Sequence, residues 1–359
     1  MLRSAQQSRD ASRAIRTAMH SRFTIAFVVL KEERRMSVVR AKSLRTFPLC
    51  FALCLAVTVG KAPQVHAAPL NLPPEATEGL QLLYSGQSAA ARALFERLEQ
   101  QEPNDPLPYL LEADVHWWDI YCTSCEIKWG FIDAWRHPKS SEDDAYLALC
   151  TKAINLAEAS IAQHDTAEME LYAGMGYLLR TKLLGVRDDR SGTARAGVAA
   201  RQHLLRCLTL DPQMTDAYTG LGLYNYYVDT LSSIARILRF FMGIPGGDKR
   251  EGIRQLKIAM NDGPLTAVEA RFYLAKNLRT YDLNYAQALD ILTPLVKQYP
   301  ANPTFALLMG DVEGELGHKD LAAQYYHAAA AATPSDTACA ARVAKLAHDA
   351  EAALAAPPH

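Results

Sequence analysis

The feature that most restricts the fold is a spacing. Residues 72–105 carry Gly79, Gly86, Ala91, Phe95, Leu98 and Pro103, and residues 303–336 carry Gly310, Gly317, Ala322, Tyr326, Ala329 and Pro334. Counted from each start, both sets fall at positions 8, 15, 20, 24, 27 and 32 of a 34-residue unit. Small residues at positions 8 and 20 let two antiparallel helices approach closely. Glycine at 15 makes their turn, an aromatic ring at 24 fills the gap to the next unit, and proline at 32 ends the second helix. Leucine and alanine dominate and alternating β-branched runs are scarce, which favours helix over strand.

Further second helices fall in register. Ala288, Leu292, Leu295 and Pro300 form one set, Gly252, Leu256, Ala259 and Pro264 another, and Ala200, Leu204, Cys207 and Pro212 a third. This spacing resembles the tetratricopeptide repeat (TPR). The resemblance covers 72–336 and implies an all-α solenoid of about six TPR-like antiparallel helix pairs, at 74–103, 106–164, 166–212, 214–264, 266–300 and 302–334. The Ala-rich tail 335–355 is expected to be a C-terminal capping helix, so that the solenoid spans 72–355. Two helical or loop insertions, about 117–140 and 230–247, and a longer loop at 185–194 interrupt the plain array.

The N-terminal 67 residues are a different material. They hold 12 of the 38 Lys/Arg and 3 of the 39 Asp/Glu, which leaves the remainder at a formal charge of −10. An acidic body argues against nucleic acid as a partner. Residues 36–67 read as a signal peptide: Arg40, Lys42 and Arg45, then "FPLCFALCLAVTVG", then "QVHAAP" with cleavage expected near Ala67. Residues 1–35 are expected to be an upstream extension outside the fold, with Met36 the favoured start. The chain is therefore expected to be exported, periplasmic or secreted.

All four tryptophans, Trp117, Trp118, Trp129 and Trp135, lie in the first insertion. Such a cluster could hold a peptide, a sugar ring or an apolar ligand, or simply fill space. Cys122 and Cys125 in the same insertion suggest a disulfide, a redox dithiol, or a metal site completed by His116 and His137, with Cys150 another candidate partner. An isolated pair of this spacing is not specific, and two inert thiols would serve equally.

The second insertion, "TLSSIARILRFFMGIPGG", places Leu231, Ile234, Ile237, Leu238 and Phe241 on one helical face and Arg236 and Arg239 on the other. Arg236, Arg239, Phe240 and Phe241 are candidate contacts for a membrane surface or a partner groove. The stripe is wide, which favours burial against the repeats over shallow surface contact. The Gly246-Gly247 turn is not a phosphate loop, because no strand precedes it and Lys249 is followed by Arg250. Instead Gly243 is expected to end one helix, and Asp248 with Glu251 to cap the next, running from about Lys249 to Met260. About 221–256 also resembles the tetratricopeptide domain 39-like, inclusion-body-clearance family, which implies an intracellular adaptor linked to membranes or aggregates.

The repeat resemblance implies a protein or peptide partner bound by first helices, with Tyr224, Asn225, Tyr227 and Asp229 as candidate contacts. No spaced set of His, Ser, Cys or carboxylates makes a catalytic constellation, and no cofactor motif is present. The sequence reads as a non-catalytic scaffold or adaptor. A membrane-associated adaptor using 231–244, or thiol or metal chemistry at Cys122 and Cys125, are the alternatives.

Overall fold

The computed structural model describes residues 70–355 apart from 129, 136, 232–234, 237–238 and 241–242. The expectations for 1–67, and those for Trp129, Ile234, Ile237, Leu238 and Phe241, lie outside the described residues.

Thirteen helices and one hairpin follow in order among the described residues. They are α1 (Pro74–Tyr84), α2 (Ser88–Gln101), α3 (Pro106–Thr123), β1 (Cys125–Lys128), β2 (Phe131–Ala134), α4 (Glu142–Gln163), α5 (Ala167–Val186), α6 (Arg190–Leu210), α7 (Ala217–Asp229), α8 (Lys249–Asp262), α9 (Ala267–Thr280), α10 (Tyr285–Gln298), α11 (Pro303–Glu315), α12 (Lys319–Ala331) and α13 (Thr337–Ala355). The first twelve pair as an α-solenoid of six TPR-like hairpins, and α13 packs on α12.

Local chemistry sets the helix starts. Pro74, Pro106 and Pro303 open α1, α3 and α11, where their missing N–H costs nothing. Asp105, Asp189 and Asn302 accept backbone N–H bonds as N-caps of α3, α6 and α11. Asp248 caps α8 as expected, accepting from the backbone N–H of Arg250 and Glu251. The Glu251 carboxylate does not close a capping box; it pairs with Arg254 at 2.6 Å. The expected loop at 185–194 shrinks to a short turn, because α5 runs to Val186 and α6 starts at Arg190.

Close approach explains the small residues at position 8. A Cβ on Gly79 would lie 2.2 Å from the Phe95 ring, and one on Gly310 would lie 2.6 Å from the Tyr326 ring. The ring at position 24 thus occupies the volume that glycine vacates.

The first insertion is not helical throughout. Helix α3 continues through Trp117 and Trp118 to Thr123, and the inserted material is the antiparallel ribbon β1–β2, paired Cys125 with Ala134 through Lys128 with Phe131. Trp135 pins it, donating its indole N–H to the Glu126 carbonyl at 3.2 Å.

The two ends of the repeat array meet. Ser335 donates its N–H to the Gly86 carbonyl at 2.8 Å, its hydroxyl accepts from the Ala89 N–H at 3.0 Å, and the Asn302 amide donates to the Tyr84 carbonyl at 2.9 Å. A disulfide joins Cys122 of α3 to Cys339 of α13. The inner face of the array is therefore a closed core rather than an open groove.

Candidate functional site

The inner helices α9 and α11 are enclosed on every side. Every residue from Phe272 to Arg279 and from Pro303 to Glu313 is buried, the signature of a helix packed all round rather than one lining a surface. Aromatic rings supply part of the cover. Trp118 meets Phe272 at 5.0 Å, Tyr84 at 5.8 Å and Phe305 at 5.8 Å between centroids, mostly edge to face.

Hairpin β1–β2 supplies the rest. Its outer edge is the backbone of Ile132, whose N–H donates to Asp311 Oδ2 at 3.1 Å and whose carbonyl accepts from Arg279 Nη2 at 2.6 Å. The Asp133 carboxylate accepts from Lys276 Nζ at 2.9 Å and from the Tyr121 hydroxyl at 2.8 Å. The Arg279 guanidinium lies 5.5 Å from the Phe131 ring centre and pairs with Asp311 at 2.5 Å. Arg279 is 0% exposed. Burial pushes the Asp311 carboxyl up to about 6 although Arg279 opposes it. Burial is the largest single influence on the Lys276 ammonium and works against it, but Asp133, Tyr227 and Tyr281 together raise its pKa.

A second ionic group in the interior joins α3, α5 and α9. Lys182 of α5 pairs with Glu269 at 2.7 Å and Asp114 at 3.8 Å, beneath the rings of Trp117 and Tyr273. Burial raises the Asp114 carboxyl to about 7, with Lys182 opposing and Glu269 adding to the shift. The cavity that these side chains share with Asp216 and Thr266 has a volume of about 20 Å³, room for one water and not for an organic ligand.

On the surface, a groove of about 430 Å³ runs between α3 and α4, lined by Tyr109, Glu112, His116, Ala145, Leu149 and Lys152 among others. Beside it, burial and the neighbouring Glu112 push Glu99 up to about 8.

The candidate residues named from the sequence divide between interior and surface. Trp117 and Trp118 are 3% and 8% exposed and belong to the core; they offer no free ring face to a partner. Tyr224, Asn225 and Tyr227 already serve the chain, bonding to the Pro245 carbonyl, Gln255 and Asn277. Asp229 accepts the Lys249 N–H at 3.2 Å. Of the alternatives left open for Cys122 and Cys125, neither a bond between them nor one to Cys150 forms: Cys122 is bonded to Cys339, because the closure of the array carries α13 onto α3. Cys125 is a buried free thiol that burial pushes up, with Asp133 adding to the effect, and a buried thiol of raised pKa is a poor nucleophile. With Cys122 in a disulfide, the four-ligand set with His116 and His137 is broken. No group of three or more His, Cys, Asp or Glu among the described residues is arranged to hold a metal ion.

The second insertion does offer surface. Phe240 is 78% exposed, and Arg236 is exposed beside it. Arg239 turns inward, with Nη1 3.1 Å from the point a Cβ on Gly246 would occupy. Tyr281 and Leu283, in the connection after α9, are also exposed. Leu283 sits at φ 52°, a conformation that leucine rarely adopts. Tyr281 packs on Tyr226 and Tyr227 of α7, and Lys249 pairs with Asp282. The start of α8 and the α9–α10 connection thus share one rim, beside Leu231 just past α7. Among the described residues no helix is long and apolar enough to cross a membrane.

No family model and no curated protein matches the chain. Among solved structures it is similar to a chain of the APC/C hetero-tetramer Cut9-Hcn1, at 14% identity and a TM-score of 0.38, over 76% of this chain and 42% of that one. It is also similar to TTC0263, a thermophilic TPR protein of Thermus thermophilus, at 14% identity and a TM-score of 0.28, over 76% of this chain and 96% of that one. The chain spans less than half the length of the first. The repeat assignment rests on the register and packing described above.

Proposed function

We propose that this chain is an exported, non-catalytic protein-binding scaffold whose contact surface is the rim at the second insertion. The observation that carries this reading is the set of apolar side chains left in solvent on the second insertion and on the α9–α10 connection. Leu231, Phe240, Tyr281 and Leu283 are four of the eight large hydrophobic side chains exposed among the described residues. One of them, Leu283, holds a strained backbone with its side chain outside, and strain kept without a packing return marks functional surface. The inner face is filled by the chain's own hairpin and aromatic rings, so a partner meets the rim first.

Export is supported by two independent features, the signal-like segment 36–67 and a disulfide that staples distant helices. Structural disulfides persist in oxidising compartments. Fractionation of the producing cells, with N-terminal sequencing of the protein, tests this; a cytoplasmic chain retaining residues before Ala68 would defeat it.

A photocrosslinking residue placed at Phe240 should capture a specific protein, and the same residue at exposed Glu78 on α1 should not. Equal capture at both positions would refute the rim as the contact surface. The exposed Phe240 beside Arg236 also favours a second reading, contact with an anionic membrane surface. Co-sedimentation with anionic vesicles, lost in a folded Phe240→Asp/Phe241→Asp variant, would support that reading instead.

A further inference from the structure

We propose that Lys276, Arg279 and Asp311 form a peptide-binding subsite on the inner face, occupied in this conformation by the chain's own β2, and that its ligand in trans is an extended segment of aromatic–aliphatic–acidic sequence. This extends the scaffold reading from the rim to the inner face and rests on that reading, but not on the identity of any rim partner.

The three side chains stand on repeat helices, Lys276 and Arg279 on α9 and Asp311 on α11. The hairpin that covers them does not belong to the repeat; it is inserted between α3 and α4. Without the insertion, two cations and one carboxylate would face the inner surface of the array. Side-chain charges enclosed this fully contribute little net stability compared with apolar residues of similar volume. Their arrangement instead matches the polar groups of a strand. Asp311 takes the N–H and Arg279 gives to the carbonyl of the same residue, Ile132. Those two contacts read backbone and would accept any extended residue there. Selectivity comes from the flanking positions: Lys276 pairs with the Asp133 carboxylate, and the Arg279 guanidinium faces the Phe131 ring. The occupant is therefore a strand with its edge free, an aromatic before the read residue and a carboxylate after it.

The hairpin is held in place from behind. Arg342 of α13 donates to the Cys125 carbonyl at 2.6 Å, at the first residue of β1. The Cys122–Cys339 bridge fixes α13 to the end of α3, three residues before that point in sequence. Loosening α13 frees the root of the hairpin, so the bridge controls access to the subsite.

The probe is a fluorescently labelled synthetic peptide of the chain's own sequence from Glu126 to Trp135, with a control in which its aspartate is replaced by lysine. Binding is read by anisotropy on the full chain and two variants checked for folding by circular dichroism. The Phe131→Gly/Ile132→Gly/Asp133→Gly variant and the Cys122→Ser/Cys339→Ser variant should each bind at least roughly tenfold more tightly than the unmodified protein. Adding Lys276→Met to the first should remove at least roughly tenfold, the scale expected when a buried charge loses its partner. The lysine control should not bind either variant. Folded variants that ignore the peptide, or that bind it and the control alike, would overturn the proposal. If neither variant folds, hydrogen exchange of the unmodified protein decides: saturating peptide should speed exchange across residues 125–134, and unchanged exchange there overturns the subsite. Loss of rim crosslinking with intact peptide binding would refute the rim alone, and the reverse would refute the subsite alone.

Discussion

Removing the bridge between α3 and α13 tests the closure of the array most directly. The Cys122–Cys339 link spans 217 residues of sequence. Chain-entropy reasoning assigns a loop of that length about 5 kcal/mol of stabilisation, acting through the unfolded chain. A bridge between Cys122 and Cys125 would close a loop of a few residues and be worth only about 2 kcal/mol by the same relation. The size of the effect therefore distinguishes the two pairings. The Cys122→Ser/Cys339→Ser variant should unfold in guanidinium chloride with a midpoint lower by about 1 M, given slopes of about 5 kcal/mol per molar for a chain this size. Cys125→Ser should move the midpoint much less, since it replaces a buried free thiol. Non-reducing peptide mapping should show Cys122 and Cys339 in one linked fragment. A midpoint shift corresponding to less than about 1 kcal/mol, or a linked fragment joining Cys122 to Cys125, would refute the reasoning.

Three other perturbations probe separate features. Gly252→Ala should destabilise by about 1–3 kcal/mol or more through overpacking, because the added methyl would lie 2.7 Å from the Gly222 carbonyl and 2.8 Å from the Tyr226 nitrogen; unchanged thermal stability would show that α7 and α8 do not cross this closely. Leu283→Asn should raise stability by about 1 kcal/mol, since asparagine tolerates the left-handed backbone that leucine resists; a lower melting temperature would mean that Leu283 is packed. The Asp114 carboxyl titrates near 7 in the fold and far lower in the unfolded chain, so between those values the folded state binds more protons and stability falls as pH rises. Asp114→Asn should therefore be more stable than the parent at pH 8, by a few kcal/mol at most, and its melting temperature should change less between pH 5 and pH 8; an equal slope would place the coupling elsewhere.

The parts of this fold legible in the sequence are those that each repeat decides for itself. Gly79 with Phe95, and Gly310 with Tyr326, report a helix crossing within one hairpin, and Asp248 reports a helix start two residues before the N–H it accepts. Helix α3 was harder to bound, because it is buried on all sides around Trp117 and Trp118 and shows no polar stripe to mark where it ends. The proposed contact surfaces were harder still. Lys276, Arg279 and Asp311 look like solvent-facing charges on amphipathic helices, and only a hairpin 143 to 179 residues earlier in the chain puts them in the interior. The link from Cys122 to Cys339 is set by where the last repeat arrives in space, which local spacing does not encode. Leu283 carried no signal at all, since its strain exists only in the folded backbone.

Contacts between the ends change what kind of object a repeat array is. When each unit touches only its neighbours, terminal units fray independently and the inner face stays open to ligands. Here the Ser88 and Ser335 hydroxyls meet across 247 residues of sequence, and the Trp118 ring packs on Phe305. Losing either terminal pair therefore also exposes part of the opposite end, and the ends share the stability of the middle. Along α9 and α11 the residues from Phe272 to Arg279 and from Pro303 to Glu313 are all buried, so among the described residues this part of the inner face presents no surface to a folded partner. Under the two proposals, recognition would be divided accordingly: the rim of the second insertion would be available to a partner at once, whereas the inner face would take only an extended segment that replaces the β2 strand already bound there.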